Sequence, residues 1–115
     1  MKSGAKWLVR DKSRLLLEIM EELAGNAHIS FEGDLQGFKL NKFADVSGEE
    51  TAVLRRNMIW PRQDLLVLPL GALMGQRILA AIGGAVPRRI NYIQIKKDGI
   101  VQFAAYDNFH PECLF

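Results

Sequence analysis

The C-terminal segment Ile90–Tyr106, INYIQIKKDGIVQFAAY, constrains the fold more than any other part of this chain. Apolar residues recur along it on both sides of Asp98-Gly99. This dipeptide is a strong hairpin signal, because both residues accept the backbone angles that a tight turn requires. The segment therefore predicts a C-terminal β-hairpin.

The register of this hairpin depends on the length of its loop, because a one-residue slip sends every side chain to the opposite face. A two-residue loop would place Gln102 on the same face as Ile93 and Ile95. A three-residue loop, Lys97-Asp98-Gly99, gives a continuous apolar face instead, with Gly99 in a bulge. The cross-strand pairs predicted from this loop are Ile95 with Val101 and Ile93 with Phe103.

The rest of the chain alternates between helical and extended patterns. Apolar residues have helical spacing in two segments: Asp11–Ala24, with Leu16, Ile19, Met20 and Leu23, and Gly71–Ile82, with Leu73, Ile78, Leu79 and Ile82. Extended patterns cover Asn26–Gly33, Phe38–Phe43 and Asp64–Leu70, whereas Thr51–Asn57 fits a strand slightly better than a short helix. We therefore predict a single α+β domain over residues 1–115, with two helices packed on a mostly antiparallel sheet of four to five strands.

Composition excludes several classes of protein. The 115 residues suit one domain, and their formal net charge is only +2. Lys and Arg are spread along the sequence, which argues against a nucleic-acid partner. A single cysteine fits a reducing compartment. Neither an apolar signal core at the N-terminus nor a run of membrane-spanning length is present. These features predict a cytoplasmic protein without membrane contact.

The tail Asp107–Cys113 is the candidate chemical site. His110 and Cys113 have the H-x-x-C spacing of two zinc ligands. A structural zinc site needs four ligands, and only His28 and carboxylates remain to complete it, so we predict neither metal nor cofactor. Cys113 with His110 would also make a nucleophile and base, but no third orienting group is evident. A small enzyme using this tail is the alternative to our prediction of a non-enzymatic protein.

Aromatic and arginine side chains in loops and strand ends predict a protein-binding surface, because Trp, Tyr and Arg dominate binding hot spots. For each residue, packing in the core or at its rim is the competing interpretation. The candidate residues are Trp60, Arg55, Arg56, Tyr92, Tyr106 and Phe109.

Two segments, TAVLRRNMIWPRQDLLVLPL (Thr51–Leu70) and YDNFHPECLF (Tyr106–Phe115), resemble short uncharacterised bacterial proteins. Those proteins are similar to products of mobile gene cassettes and of toxin–immunity neighbourhoods. The resemblance implies a small accessory or immunity-type protein that works by binding a partner. It implies no catalytic residues.

The second face of the hairpin predicts self-association. On the predicted register it carries Tyr92, Ile100 and Ala104, and Ile90 and Tyr106 extend it. Such a face is too apolar for full exposure to water, and exposed apolar patches usually mark contacts. Either the helices cover this face or a second subunit does. Two helices are few to cover both faces of a five-stranded sheet, so we expect a homodimer, the commonest oligomer. A purely structural homodimeric domain is therefore a further alternative to a binding function.

Overall fold

A computed structural model describes residues 12–43, 45–57, 60, 62–84 and 86–106, with the backbone alone for Tyr106. Its main elements are a four-stranded antiparallel sheet of order β2-β1-β3-β4 and two helices. Their bounds are α1 (Lys12–Leu23), β1 (Ala27–Gly33), a 3-10 helix (Lys39–Lys42), β2 (Asp64–Pro69), α2 (Gly75–Ala81), β3 (Ile90–Lys97) and β4 (Ile100–Tyr106). The predicted α+β class and the C-terminal hairpin are confirmed.

One face of the sheet packs against both helices to form the main core. Phe31 in the central strand β1 is fully buried there. Alternate residues of each strand share a face, so the same side of the sheet collects an apolar set from three strands: Ala27, Ile29, Phe31, Ile93, Ile95, Phe103 and Ala105. The helices contribute Leu16, Met20, Ile78 and Ile82. Burial of these side chains holds the helices on the sheet.

The hairpin has a different register from the predicted one. Asp98 and Gly99 form a two-residue turn with φ angles of 54° and 83°, the pattern of a type I′ turn. Lys97 pairs with Ile100, and Gln102 is an extra residue that bulges out between Val101 and Phe103. The three-residue loop was wrong because the bulge lies inside β4 and not in the turn. The observed apolar pairs are Ile95 with Phe103 and Ile93 with Ala105.

Two predicted strands are absent from the described part of the chain. Phe38–Phe43 contains the 3-10 helix, which buries Leu40 in the main core. Thr51–Asn57 has no regular structure, because the Thr51 hydroxyl accepts hydrogen bonds from the backbone N–H groups of Val53 and Leu54 at 3.2 and 2.8 Å. Such local bonds compete with strand pairing.

The second helix is shorter than predicted. It begins at Gly75, so Leu73 lies in the preceding turn with a φ of 67° and is 92% exposed. The prediction that Leu73 belongs to the core was therefore wrong. Helical spacing alone does not reveal where the first turn starts.

Residues 45–57 cover part of the second face of the sheet. Ser47 exchanges backbone hydrogen bonds of 2.9 and 2.7 Å with Val67 on the outer edge of β2. Leu54 is fully buried against Leu65 and Val67, and Val101 packs against this second cluster. The continuous apolar run of β2 is thus buried from both sides by different parts of the chain.

The face on which we based self-association differs from the predicted one. Ile90 belongs to the main core and Ala104 is fully buried, whereas Ile100 is 64% exposed. Ile100 pairs with Lys97, so it lies on the helix side of the sheet and not beside Tyr92. Ile90 and Ala104 are both buried within the single chain, so their burial does not require a second subunit. The homodimer itself stays a prediction, to be tested by light scattering.

Lys97 ties the hairpin to the end of α1. Its Nζ donates hydrogen bonds to the backbone carbonyls of Leu23, Ala24 and Gly25, at 3.3, 3.1 and 2.8 Å. These groups would otherwise end the helix without partners, and a cation at this end also complements the helix dipole.

We expect Lys97→Met to lower the free energy of unfolding by about 2 kcal/mol, the typical loss for hydrogen bonds to a charged group. Urea unfolding would measure it. Lys96→Met is the matched control, since Lys96 points to the opposite face of the same strand. Equal losses for the two variants would contradict the capping role.

Candidate functional site

The loop that carries Arg55, Arg56 and Trp60 is fixed to the sheet by a buried carboxylate. Glu32 in β1 is only 2% exposed, and its Oε1 accepts a 2.7 Å hydrogen bond from the backbone N–H of Asn57. Glu32 points away from the helices, as its alternation with Phe31 predicts. This bond, together with the buried Leu54, positions the chain up to Asn57.

Trp60 is 84% exposed, an unusual state for the largest apolar side chain. The arginines of the same loop are held in place at its base. Arg55 lies 3.7 Å from a carboxylate oxygen of Glu50, and the backbone N–H of Arg56 donates to Glu50 at 2.8 Å. The Arg56 Nε donates to the carbonyl of Gln63 at 3.4 Å. The indole therefore stands at the surface of a loop with a braced base.

Tyr92 lies at the same end of the sheet. It is half-buried and pairs with Glu32 on one side and with Tyr106 on the other. Its neighbour Asn91 donates a 2.9 Å hydrogen bond from Nδ2 to the side chain of Gln63, which joins β3 to the loop. The fold thus brings Arg55, Arg56, Trp60 and Tyr92 to one end of the molecule.

The remaining candidate site residues, Tyr106 and those of the C-terminal tail, lie partly or wholly outside the described residues. The backbone of Tyr106 belongs to β4, and its side chain lies outside the described residues. Phe109, His110 and Cys113 lie entirely outside them. Among the described residues, no group of three His, Cys, Asp or Glu side chains is arranged to hold a metal ion.

An open cleft of about 610 Å³ adjoins the loop. It lies between the 34–41 segment and the start of β2, and Arg56 belongs to both the cleft and the loop. Asp64 braces the cleft by accepting a 3.1 Å hydrogen bond from the backbone N–H of Leu35. Its walls include Gln36, Phe38, Asn41, Arg56, Arg62 and Leu66. The sequence did not predict this cleft, because its walls come from segments far apart in the chain.

A basic groove on the other side of the 3-10 helix was also missed. Lys39 and Lys42 line it together with Arg77 of α2. In the strand predicted for this segment, residues three apart would point to opposite faces, whereas a 3-10 helix puts them on the same side. The spacing of Lys39 and Lys42 is visible in the sequence, but the strand predicted for this segment would not have placed them on the same side.

His28 lies on the second face of the sheet, and its pKa is lowered there. Partial burial lowers its pKa from the ordinary value of 6.5, and the charge of Lys96, its partner across the strands, lowers the pKa further. The unfolded chain therefore binds a proton more readily than the folded one.

From this shift we expect stability to rise with pH as His28 loses its proton, and to fall as the pH drops below 6.5. His28→Gln should flatten that dependence, because the glutamine does not titrate. Thermal unfolding over about pH 5 to 7, the range in which histidines titrate, would measure the slope. An unchanged slope in the variant would refute the assignment to His28.

Comparison with known proteins identifies no relative. No protein-family model, no curated protein and no solved structure matches the chain. The resemblance to cassette-encoded and immunity-type proteins therefore stays a prediction. Within the described residues, no helix has both the length and the apolar character needed to cross a membrane.

Proposed function

We propose that this chain is a non-enzymatic protein-binding domain whose contact surface is the Trp60 loop. The observation that carries the proposal is the 84% exposed Trp60 on a loop anchored by Glu32 and Asn57. Exposed tryptophan side chains favour binding, because they offer a large apolar contact area and lose little side-chain entropy when a partner docks.

The surroundings of Trp60 have the mixed character of a protein interface. Arg55 and Arg56 lie in the same loop, Tyr92 lies at the same end of the sheet, and the adjoining cleft offers a concave surface. Tryptophan, tyrosine and arginine are the residues most often found at the energetic centre of interfaces. A partner that inserts a side chain into the cleft would bury Arg56, which belongs to the same loop as Trp60.

The class of partner that we propose is a toxin neutralised by this protein or a regulatory protein. This follows from the sequence resemblance, and the segment Thr51–Leu70 that carries part of that resemblance also carries Trp60. A gene for a toxin beside the gene for this chain would supply the partner to test.

We expect Trp60→Ala to weaken partner binding about 30-fold, the effect of removing a hot-spot side chain worth 2 kcal/mol. The test is co-purification with the product of the flanking gene, followed by titration calorimetry of the purified pair. Leu73→Ala is the matched control, because Leu73 is also almost fully exposed but lies in the turn before α2.

The contrast between the two variants decides the proposal. Loss of binding in Trp60→Ala with retention in Leu73→Ala supports the loop as the contact surface. Equal affinities for wild type and Trp60→Ala would overturn it. Circular dichroism of both variants shows whether their folds are unchanged.

A further inference from the structure

The basic groove beside the 3-10 helix has the composition of a ligand site. Its volume is about 440 Å³, within the range of pockets that hold small molecules. Three cationic side chains and three apolar ones form its walls: Lys39, Lys42, Arg77, Phe43, Ala80 and Ala81. Positive charge above an apolar floor is an arrangement that suits an anionic ligand with an apolar body.

The three cations have no acidic counterpart in the described part of the chain. The salt bridges found there join Arg14 to Glu18, Arg55 to Glu50 and Arg89 to Asp34. Asp45, the nearest carboxylate in the sequence, does not line the groove. Three formal positive charges therefore converge on one concavity in a protein whose net charge is only +2. Such convergence raises the local concentration of anions.

One of the three cations, Arg77, packs over an aromatic ring. The guanidinium carbon of Arg77 lies 5.2 Å from the centre of the Phe43 ring, within cation–π range. Phe43 itself packs against the main core. The guanidinium is thus partly ordered before a ligand arrives, which reduces the entropy lost on binding.

Small side chains on α2 create the hollow. Ala80 and Ala81 form one wall, where longer residues would fill the space in front of Phe43. The opposite wall is the 3-10 helix, from which Lys39 and Lys42 project on the same side. An apolar group seated on the alanines and Phe43 leaves its attached anion beside the three cations.

We propose that this groove binds a phosphate monoester whose apolar part rests on Phe43, Ala80 and Ala81. A dianionic phosphate matches three surrounding cations better than a single carboxylate does, and arginine binds phosphate oxygens through paired hydrogen bonds. The site is separate from the Trp60 loop, so the two proposals stand or fall independently.

Calorimetric titration at low ionic strength tests the site with three probes: phenyl phosphate, inorganic phosphate and phenol. We expect phenyl phosphate to bind about tenfold more tightly than inorganic phosphate, since burial of its ring adds to the charge interaction. Phenol, which lacks the dianion, should not bind measurably. Equal affinity for phenyl phosphate and inorganic phosphate would overturn the role of the apolar floor.

Variants at exposed positions separate the two parts of the site. Lys42→Gln and Arg77→Gln should each lower the affinity for phenyl phosphate about three- to tenfold. Arg88→Gln, which lies outside the groove, should leave this affinity unchanged. Ala80→Leu keeps every charge but fills the hollow. The affinity for phenyl phosphate should therefore fall to the affinity for inorganic phosphate. Equal weakening by Arg88→Gln would show general charge attraction and overturn the site.

Sedimentation with phosphatidic acid vesicles distinguishes two sources of the monoester. Sedimentation that Lys42→Gln abolishes assigns the phosphate to a lipid headgroup. Binding of phenyl phosphate without sedimentation assigns it to a soluble ligand. Absence of binding to both phenyl phosphate and vesicles would refute the proposal, and unchanged thermal unfolding of the variants would exclude misfolding as the cause.

Discussion

Replacing Gly33 with alanine is expected to lower the free energy of unfolding by more than about 3 kcal/mol, the scale of a severe backbone conflict. Gly33 ends β1 with a φ of 153°, where the pairing with β3 shifts register. A Cβ at this position would collide with the carbonyl oxygen of Arg89 and lie 3.0 Å from the Cα of Ile90. Both obstacles are backbone atoms, so no side-chain rotation relieves the clash.

Gly37→Ala is the matched control for Gly33→Ala. Gly37 also has a positive φ, of 84°, but no atom lies within 4 Å of the position that its Cβ would take. We therefore expect a loss of only about 1 kcal/mol, from backbone strain alone. Chemical unfolding of both variants measures the difference. Similar losses would mean that strain rather than close backbone approach determines the effect at Gly33.

Leu54→Ala is the second large effect that we expect, a loss of about 2–5 kcal/mol, the usual cost of truncating a fully buried leucine. Leu54 is the only fully buried side chain between residues 45 and 57 that the structure describes, and it fills the space above Leu65 and Val67. Its removal leaves a cavity and loosens the segment that covers this face of the sheet.

Leu73→Ala provides the contrast with Leu54→Ala, because the same atoms are removed from a side chain that is 92% exposed. Its effect should stay within about 0.5 kcal/mol, as for most surface substitutions. Denaturation midpoints and slopes of both variants would give the values. A small loss for Leu54→Ala would mean that the 45–57 segment is not anchored through this leucine.

The loosened segment also connects stability to the proposed function. Asn57 and Trp60 follow Leu54 in the chain, and the hydrogen bond from Asn57 to Glu32 is the next anchor of the loop. Leu54→Ala should therefore weaken partner binding without removing any residue of the contact surface. Glu32→Gln would test the second anchor separately.

Most of the secondary structure followed from local pattern. The strands around Ile29, Leu66 and Ile93, both helices and a hairpin centred on Asp98-Gly99 were predicted from periodicity and turn chemistry, whereas the loop length and the register of the hairpin were wrong. The candidate residues of the Trp60 loop were also named from the sequence, because Trp, Tyr and Arg dominate binding hot spots. Their role in binding stays a prediction. These features depend on neighbours in the chain, which the sequence shows directly.

Other features were decided only by tertiary structure. Gln102 bulges because the bulge lets Phe103 and Ala105 face the helices, and that requirement comes from packing across the sheet. Leu40 enters the core through a 3-10 helix rather than a strand, which in turn places Lys39 and Lys42 together. Glu32 is buried because a distant loop crosses it.

The division has a physical reason. Backbone angles, turn types and the alternation of side chains are set by interactions within a few residues, so the sequence by itself determined the α+β class, the hairpin and most elements. Register, bulges, the covering of the second face and both concave surfaces depend on contacts between segments separated by tens of residues. Their free energies are comparable to local preferences and override them, so only the folded chain determined where the cleft and the basic groove lie.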